Sequence, residues 1–212
     1  MATGQATKLT GAVGEFLVAA ELCRRGLLAT PFAGNVPHYD IIASGQRGGH
    51  VAVQVKAING LTWQFDVRKF LDVQMDEDGK RQILGAPQQE PFPELMCVLV
   101  VLKETGLDRF FVLEWRELQD VLVQHYREYL SKNNFVRPRS PGSFHTAMAI
   151  SDVEPFENEW RKILERMPSA PEVSLGDPIP AASGGLSAPA ATAPGPPAGS
   201  PGPSPPSPGW SS

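Results

Sequence analysis

The sequence predicts an α/β protein, with helices flanking a β-sheet and a long tail after the folded part. Three observations carry this. Two segments near residues 10–26 and 115–130 have helical apolar spacing, and several short segments between them have strand length or strand alternation. The composition also changes abruptly at residue 168.

Thr10 can cap the first helix, and Gly26 ends it just after Arg24 and Arg25, cations suited to a helix C-terminus. At about 100° per residue, Ala12, Val13, Phe16, Ala19, Ala20, Leu22 and Cys23 share one arc, predicted to face the core, with Glu21, Arg24 and Arg25 opposite. Residues 27–32 and 36–43 follow as strands, and SGQRGG at 44–49 as a turn. From 50 to 58, Val51, Val53 and Val55 alternate with Ala52, Gln54 and Lys56, a strand predicted to be central. After the Asn59-Gly60 turn signal, Leu61, Trp63, Phe65 and Val67 alternate in a further strand. The DEDGK run at 76–80 lacks the spaced oxygens and closing Glu of a calcium loop and reads as a solvated hairpin tip. Pro87, Pro91 and Pro93 mark a surface loop. Residues 96–102 and 109–114 form two strands joined at Thr105-Gly106. Leu118, Val121, Leu122, His125, Tyr126 and Tyr129 define the second helix. The loop 137–145 and a short helix at 156–167 complete the folded part.

Residues 1–9 read as a flexible N-terminus, 10–167 as one domain, and 168–212 as the tail. The tail holds 13 of the 21 prolines and no lysine or arginine, and its apolar content cannot offset chain entropy, so it is predicted to be disordered. Its SPGPSPPSP run has polyproline II character, which a Pro-binding module could take, though an inert tail is the plainer reading. The chain carries a net charge of −4; without the tail's Glu172 and Asp177, 19 basic and 21 acidic residues leave −2. That excludes a blanket polycation, so any nucleic-acid affinity needs a local patch. Cys23 and Cys97 lie far apart with no CxxC spacing, which argues against a zinc site or disulfide scaffold and suits reduced thiols. No signal-peptide pattern and no apolar run of about 20 residues occurs, so a cytoplasmic protein with no membrane association is expected.

Four polar residues stand out from these surroundings. Glu15 lies inside the apolar arc of the first helix, where a carboxylate needs a cation or donor. Asp40 precedes the short apolar run Ile41, Ile42, Ala43. Gln54 and Lys56 share one face of the valine-rich strand. Each also has an ordinary reading: Glu15 as a solvated helix-start acid, Asp40 as a turn residue capping amides, Gln54 and Lys56 as the polar face of an edge strand. His38 and His50 flank the group and read as structural histidines or phosphate contacts.

A helix with Glu15, Asp40 at the second strand and the Gln54-x-Lys56 pair on the third resemble the PD-(D/E)XK nuclease superfamily, in the Gln-x-Lys variant of Mrr-type restriction nucleases. The resemblance covers residues 10–70 and implies a restriction-endonuclease-like mixed β-sheet flanked by helices. It also implies a metal-dependent endonuclease acting on nucleic acid, DNA foremost, and leaves a homodimer open. Asp40, Glu15 and Gln54 would hold Mg²⁺ or Mn²⁺, while Lys56 would orient or deprotonate the attacking water. The chemistry agrees, because magnesium takes oxygen ligands, one or two of them carboxylates, and activates water beside a phosphate. Gln54 offers only a neutral oxygen, so two other readings stay open. One is a nucleic-acid-binding or regulatory protein that does not cleave; the other is an adaptor recruiting partners through its tail.

Overall fold

The computed structural model describes residues 4–32 and 36–168, which belong to a single compact unit. The disordered tail expected from the sequence lies outside the described residues, except for Pro168.

A mixed five-stranded sheet forms the centre. Its strands are β1 (Leu28–Pro31), β2 (Ile41–Ser44), β3 (His50–Ile58), β7 (Met96–Val101) and β8 (Arg109–Glu114), side by side in that order. β3 and β7 run parallel, with Val55 beside Val98, and the other neighbours are antiparallel. β3 is therefore the middle strand, as its valines predict. Every residue of β7 is buried, which requires cover on both faces of the sheet.

Helix α1 (Gly4–Arg24) covers one face, where Val51, Val53, Met96, Val98 and Val112 pack. It starts six residues before the expected cap, and the Thr10 hydroxyl instead donates back to the Ala6 carbonyl at 3.0 Å. Its C-terminus follows the sequence: Leu27 N–H reaches Leu22 O and Gly26 N–H reaches Cys23 O, with Gly26 at φ 86°. The buried stripe differs from the predicted arc. Gly14, Val18, Ala19 and Leu22 face the sheet, while Val13 and Phe16 stand outside. The helix is apolar nearly all round, so its sequence sets no phase. The tightest contact sets it: a Cβ on Gly14 would lie 2.4 Å from Ala57 Cβ, so only glycine lets α1 approach β3 this closely.

Helix α2 (Trp115–Ser131) covers the other face through Trp115, Leu118, Leu122, Tyr126 and Leu130. Its start is fixed by Glu117, whose carboxylate accepts from Glu114 N–H at 2.9 Å and binds the Lys162 ammonium at 2.6 Å. Two small antiparallel sheets lie beside it. One pairs β4 (Thr62–Asp66) with β9 (His145–Ala149), and the other pairs β5 (Leu71–Met75) with β6 (Gln82–Pro87). The β5–β6 tip closes on Asp76, whose Oδ1 accepts from Lys80 and Arg81 N–H groups, occupying an oxygen a calcium loop would need. Buried Gln82 ties this hairpin to the 137–145 loop, donating to Pro141 O at 2.7 Å and accepting from the Tyr126 hydroxyl. The last helix is shorter than predicted: α3 (Arg161–Leu164) follows two 3₁₀ turns. No helix among the described residues is long and apolar enough to cross a membrane.

Candidate active site

β2 and β3 part company at Asp40. The Asp40 N–H donates to Val53 O at 2.9 Å, and its carbonyl accepts from Phe32 N–H at 3.0 Å. On the next rung the ladder has no β2 backbone to offer, and Asp40 Oδ2 takes the Val55 N–H at 2.7 Å. The carboxylate thus lies in the fork between the strands, within the plane of the sheet. Among the described residues nothing donates to its Oδ1, which stays available for a ligand.

The other three predicted residues lie on opposite sides of β3. Glu15 follows Gly14 on α1 and approaches from the face lined by Val55 and Ala57. Gln54 and Lys56 alternate with those residues and so project from the other face. There they line a cleft of about 330 Å³ with Phe65, Lys69 and His145. The Lys56 ammonium lies 5.1 Å from the centre of the Phe65 ring, and its backbone carbonyl is fixed by the Trp63 indole N–H at 2.9 Å. The four side chains do not share one face; Asp40 interacts electrostatically with Glu15 and with Lys56.

The electrostatics follow this arrangement. Burial raises the Glu15 carboxyl above the ordinary carboxylate range, and the Asp40 charge raises it further. Burial also raises Asp40, against the Val55 hydrogen bond and the Lys56 charge, which both lower it. Desolvation and then the Lys69 ammonium lower Lys56, against the attraction of Asp40. Lys56 is solvent-exposed as a residue, so water screening limits that lowering.

A second cleft of about 430 Å³ adjoins the first, sharing Gln54, Lys69 and Phe70 and adding His38 and Arg68. Arg68 is held by a two-pronged pair with Asp66, at 2.6 and 3.0 Å. No carboxylate among the described residues pairs with Lys56 or Lys69. Despite the acidic chain, the cleft walls therefore carry free positive charge, the local patch a polyanion requires. Of the two flanking histidines, His38 lines the second cleft, while His50 bonds Ser44 Oγ at 2.9 Å on the β2–β3 turn.

Sequence reasoning missed Lys69, His145 and Gly14. Lys69 and His145 are brought in by the 3₁₀ turn after β4 and by β9, pairings between distant segments that no local pattern announces. Gly14 did carry a signal, since a glycine inside a helix weakens it and usually marks a close contact.

Among the described residues, no three His, Cys, Asp or Glu side chains gather as a metal site. The fork still fits a magnesium-like cation: both carboxyls are raised by burial, the Asp40 charge raises Glu15 further, and Asp40 Oδ1 has no donor among the described residues. Magnesium is commonly held by one or two carboxylates, with water and substrate phosphate completing its shell.

Neither a family model nor a curated protein matches this sequence. Among solved structures the chain is similar to a bacterial homing endonuclease, I-Ssp6803I, at 17% identity and a TM-score of 0.41. The match covers 76% of this chain and 95% of that one. A likeness at that level assigns no residue and no activity here.

Proposed function

We propose that this protein is a divalent-metal-dependent nuclease of the PD-(D/E)XK type, hydrolysing phosphodiester bonds in nucleic acid, DNA foremost. The observation that carries this reading is the fork itself. A carboxylate pinned by Val55 N–H between two parting strands raises Glu15 by its charge and is itself lowered by the charge of Lys56. A purely structural Asp40 would need only the amide, and a purely structural Lys56 would not face a cationic cleft.

Asp40 and Glu15 would hold the cation, with the Gln54 amide oxygen turned to it or to its water. The bound cation supplies charge neutralisation at the phosphoryl oxygens and a water of lowered pKa. Lys56 would stabilise charge developing on the phosphoryl group or take a proton from the water, and its lowered pKa supports the second task. Lys69, which lines both clefts with no ion pair among the described residues, would neutralise a backbone phosphate, and Arg68 and His145 would offer hydrogen-bond donors beside it.

A panel of single-stranded, duplex and branched DNA and RNA, with Mg²⁺, Mn²⁺ or a chelator, tests the reading. Cleavage that requires the metal and stops on chelation is expected. Gln54 in place of an acid favours one second reading, a nucleic-acid binder that does not cleave. Metal-independent binding across the panel without cleavage would establish that reading and overturn the first.

A further inference from the structure

Between Glu128 and Asp152 the chain holds no acid, although acids outnumber bases overall, and Lys132, Arg137 and Arg139 fall in that run. A third cleft of about 350 Å³ opens there, lined by Tyr129, Arg137, Arg139, Ser140 and Ser143. Arg137 is fixed within it. Its Nη1 donates to the Ser143 carbonyl at 3.2 Å and to the His145 carbonyl, and the guanidinium lies 5.4 Å from the centre of the Tyr129 ring. No carboxylate among the described residues pairs with Arg137 or Arg139. The Arg139 side chain and the Ser140 and Ser143 hydroxyls have no hydrogen-bond partner among them. Pinning the loop accounts for Arg137 alone. It leaves a second guanidinium on the same cleft, where like charges repel, and two hydroxyls without a protein partner.

We propose that this arginine loop is a second phosphate site, holding a phosphate of the same strand whose cleaved bond lies at the fork. Two guanidinium groups and two hydroxyls on one cleft suit an anion with several oxygens, and the planar Arg fork matches phosphate in particular. The position points to the same strand. Ser143 lines this cleft, and His145, two residues on and at most about 7 Å away, lines the first. Arg68 of the second cleft lies over the intervening Phe144, 4.7 Å from its ring centre. The phosphate comes from the interior of the strand or from its end, since both present oxygens to the same donors. The inference rests on the nuclease reading for the identity of the strand, while phosphate binding itself requires no cleavage.

Binding of 3′-labelled single-stranded DNA and RNA oligonucleotides to the full chain, in chelator and over a range of salt, tests it. Arg139→Ala has no contact in the folded chain to lose, so its melting should equal that of the wild type. It should weaken binding about tenfold for every base sequence alike and reduce the slope of log affinity against log salt by about 0.7. Arg139→Lys should recover part of the loss, and Lys132→Ala, in the same run but outside the cleft, should cost little. A loss confined to 5′-phosphorylated strands would assign the site to a terminal phosphate, and an equal loss on 5′-hydroxyl strands to an internal one. Unchanged affinity and slope in Arg139→Ala, or an equal loss in Lys132→Ala, would overturn the proposal, as would a wild type that binds no strand. Metal-dependent cleavage beside an indifferent Arg139→Ala would remove this site alone; a sensitive Arg139→Ala without any cleavage would keep the site and remove the nuclease.

Discussion

Replacing Gly14 with alanine reverses the usual sign of a glycine substitution in a helix. In an unobstructed helix interior, Gly→Ala stabilises by roughly 1 kcal/mol. At Gly14 the new methyl would lie 2.4 Å from Ala57 Cβ and 3.6 Å from Val55 Cγ1. Ala57 Cβ is fixed to the central strand and has no rotamer through which to yield, so α1 must move off β3. Overpacking costs about 1–3 kcal/mol, and against an unyielding methyl at 2.4 Å the upper part, about 2–3 kcal/mol, applies, leaving a net loss of about 1–2 kcal/mol after the helical gain. For a domain of this size that is a fall in Tm of roughly 2–8 °C. Gly11 is the internal control, because it lies in the same helix with nothing within 4 Å of its would-be Cβ. Thermal denaturation of Gly11→Ala should show a rise, Gly14→Ala a fall, and Gly14→Ala with Ala57→Gly a return most of the way. The displaced helix also carries Glu15 away from Asp40, so divalent-cation affinity should fall in Gly14→Ala alone. A Tm for Gly14→Ala at or above that of the wild type would refute the close approach and the placement of Glu15 that follows from it.

Four further outcomes are expected. Glu15→Gln removes a ligand and a repelling charge, so it should weaken Mn²⁺ binding in calorimetry while leaving the metal-free protein as stable or slightly more so. Lys56→Arg keeps the charge but cannot give up a proton, so a rate loss on the order of 10²–10³ with metal binding intact would mark Lys56 as the base. Retained activity in that variant would limit it to charge stabilisation. Gln54→Glu should tighten metal binding and keep cleavage; a loss of folding cooperativity instead would mark Gln54 as a structural amide. The raised carboxyls of Glu15 and Asp40 favour protons in the folded state, so their contribution to metal-free stability is fullest below their ordinary values of 4.5 and 3.8 and is lost as pH rises through the raised values. Added Mg²⁺ should oppose that loss and release protons on binding, which calorimetry in two buffers of different ionisation enthalpy measures.

The parts of the fold that were legible in the sequence are those whose local signal needs no partner. The valines of β3, the all-apolar β7, and the Arg24-Arg25-Gly26 helix end each state their environment through composition and period alone. The β5–β6 hairpin was legible only through its tip at 76–80, and β9 was not legible as a strand, because these peripheral two-stranded sheets have exposed polar positions that dilute the alternation. The phase of α1 was misread for a different reason. Its outer seam is as apolar as its buried stripe, and only Gly14 against Ala57 decides between them. Glu15 was placed beside the site for its position on an apolar arc, yet it arrives there from the buried Gly14–Val18 side. Asp40 was legible as a residue before a strand that accepts a backbone amide: one oxygen takes Val55 N–H, and the other has no donor among the described residues. The cationic cleft was not legible from a net charge of −4, since Lys56 on β3 and Lys69 on the 3₁₀ turn after β4 meet only once the chain folds back on itself.

The central claim is that Asp40 holds the catalytic cation, and Asp40→Asn isolates it. Asparagine keeps an oxygen for Val55 N–H, so the fork and the fold should survive, whereas Asp40→Ala would strand that amide at a cost of about 1–3 kcal/mol. Wild type and Asp40→Asn, purified side by side, should be compared for Mg²⁺-dependent cleavage of the best substrate on the nucleic-acid panel. The account predicts wild-type cleavage and a loss of at least about 10²-fold in the variant, with unchanged melting in the absence of metal. Equal cleavage by the two proteins would contradict it.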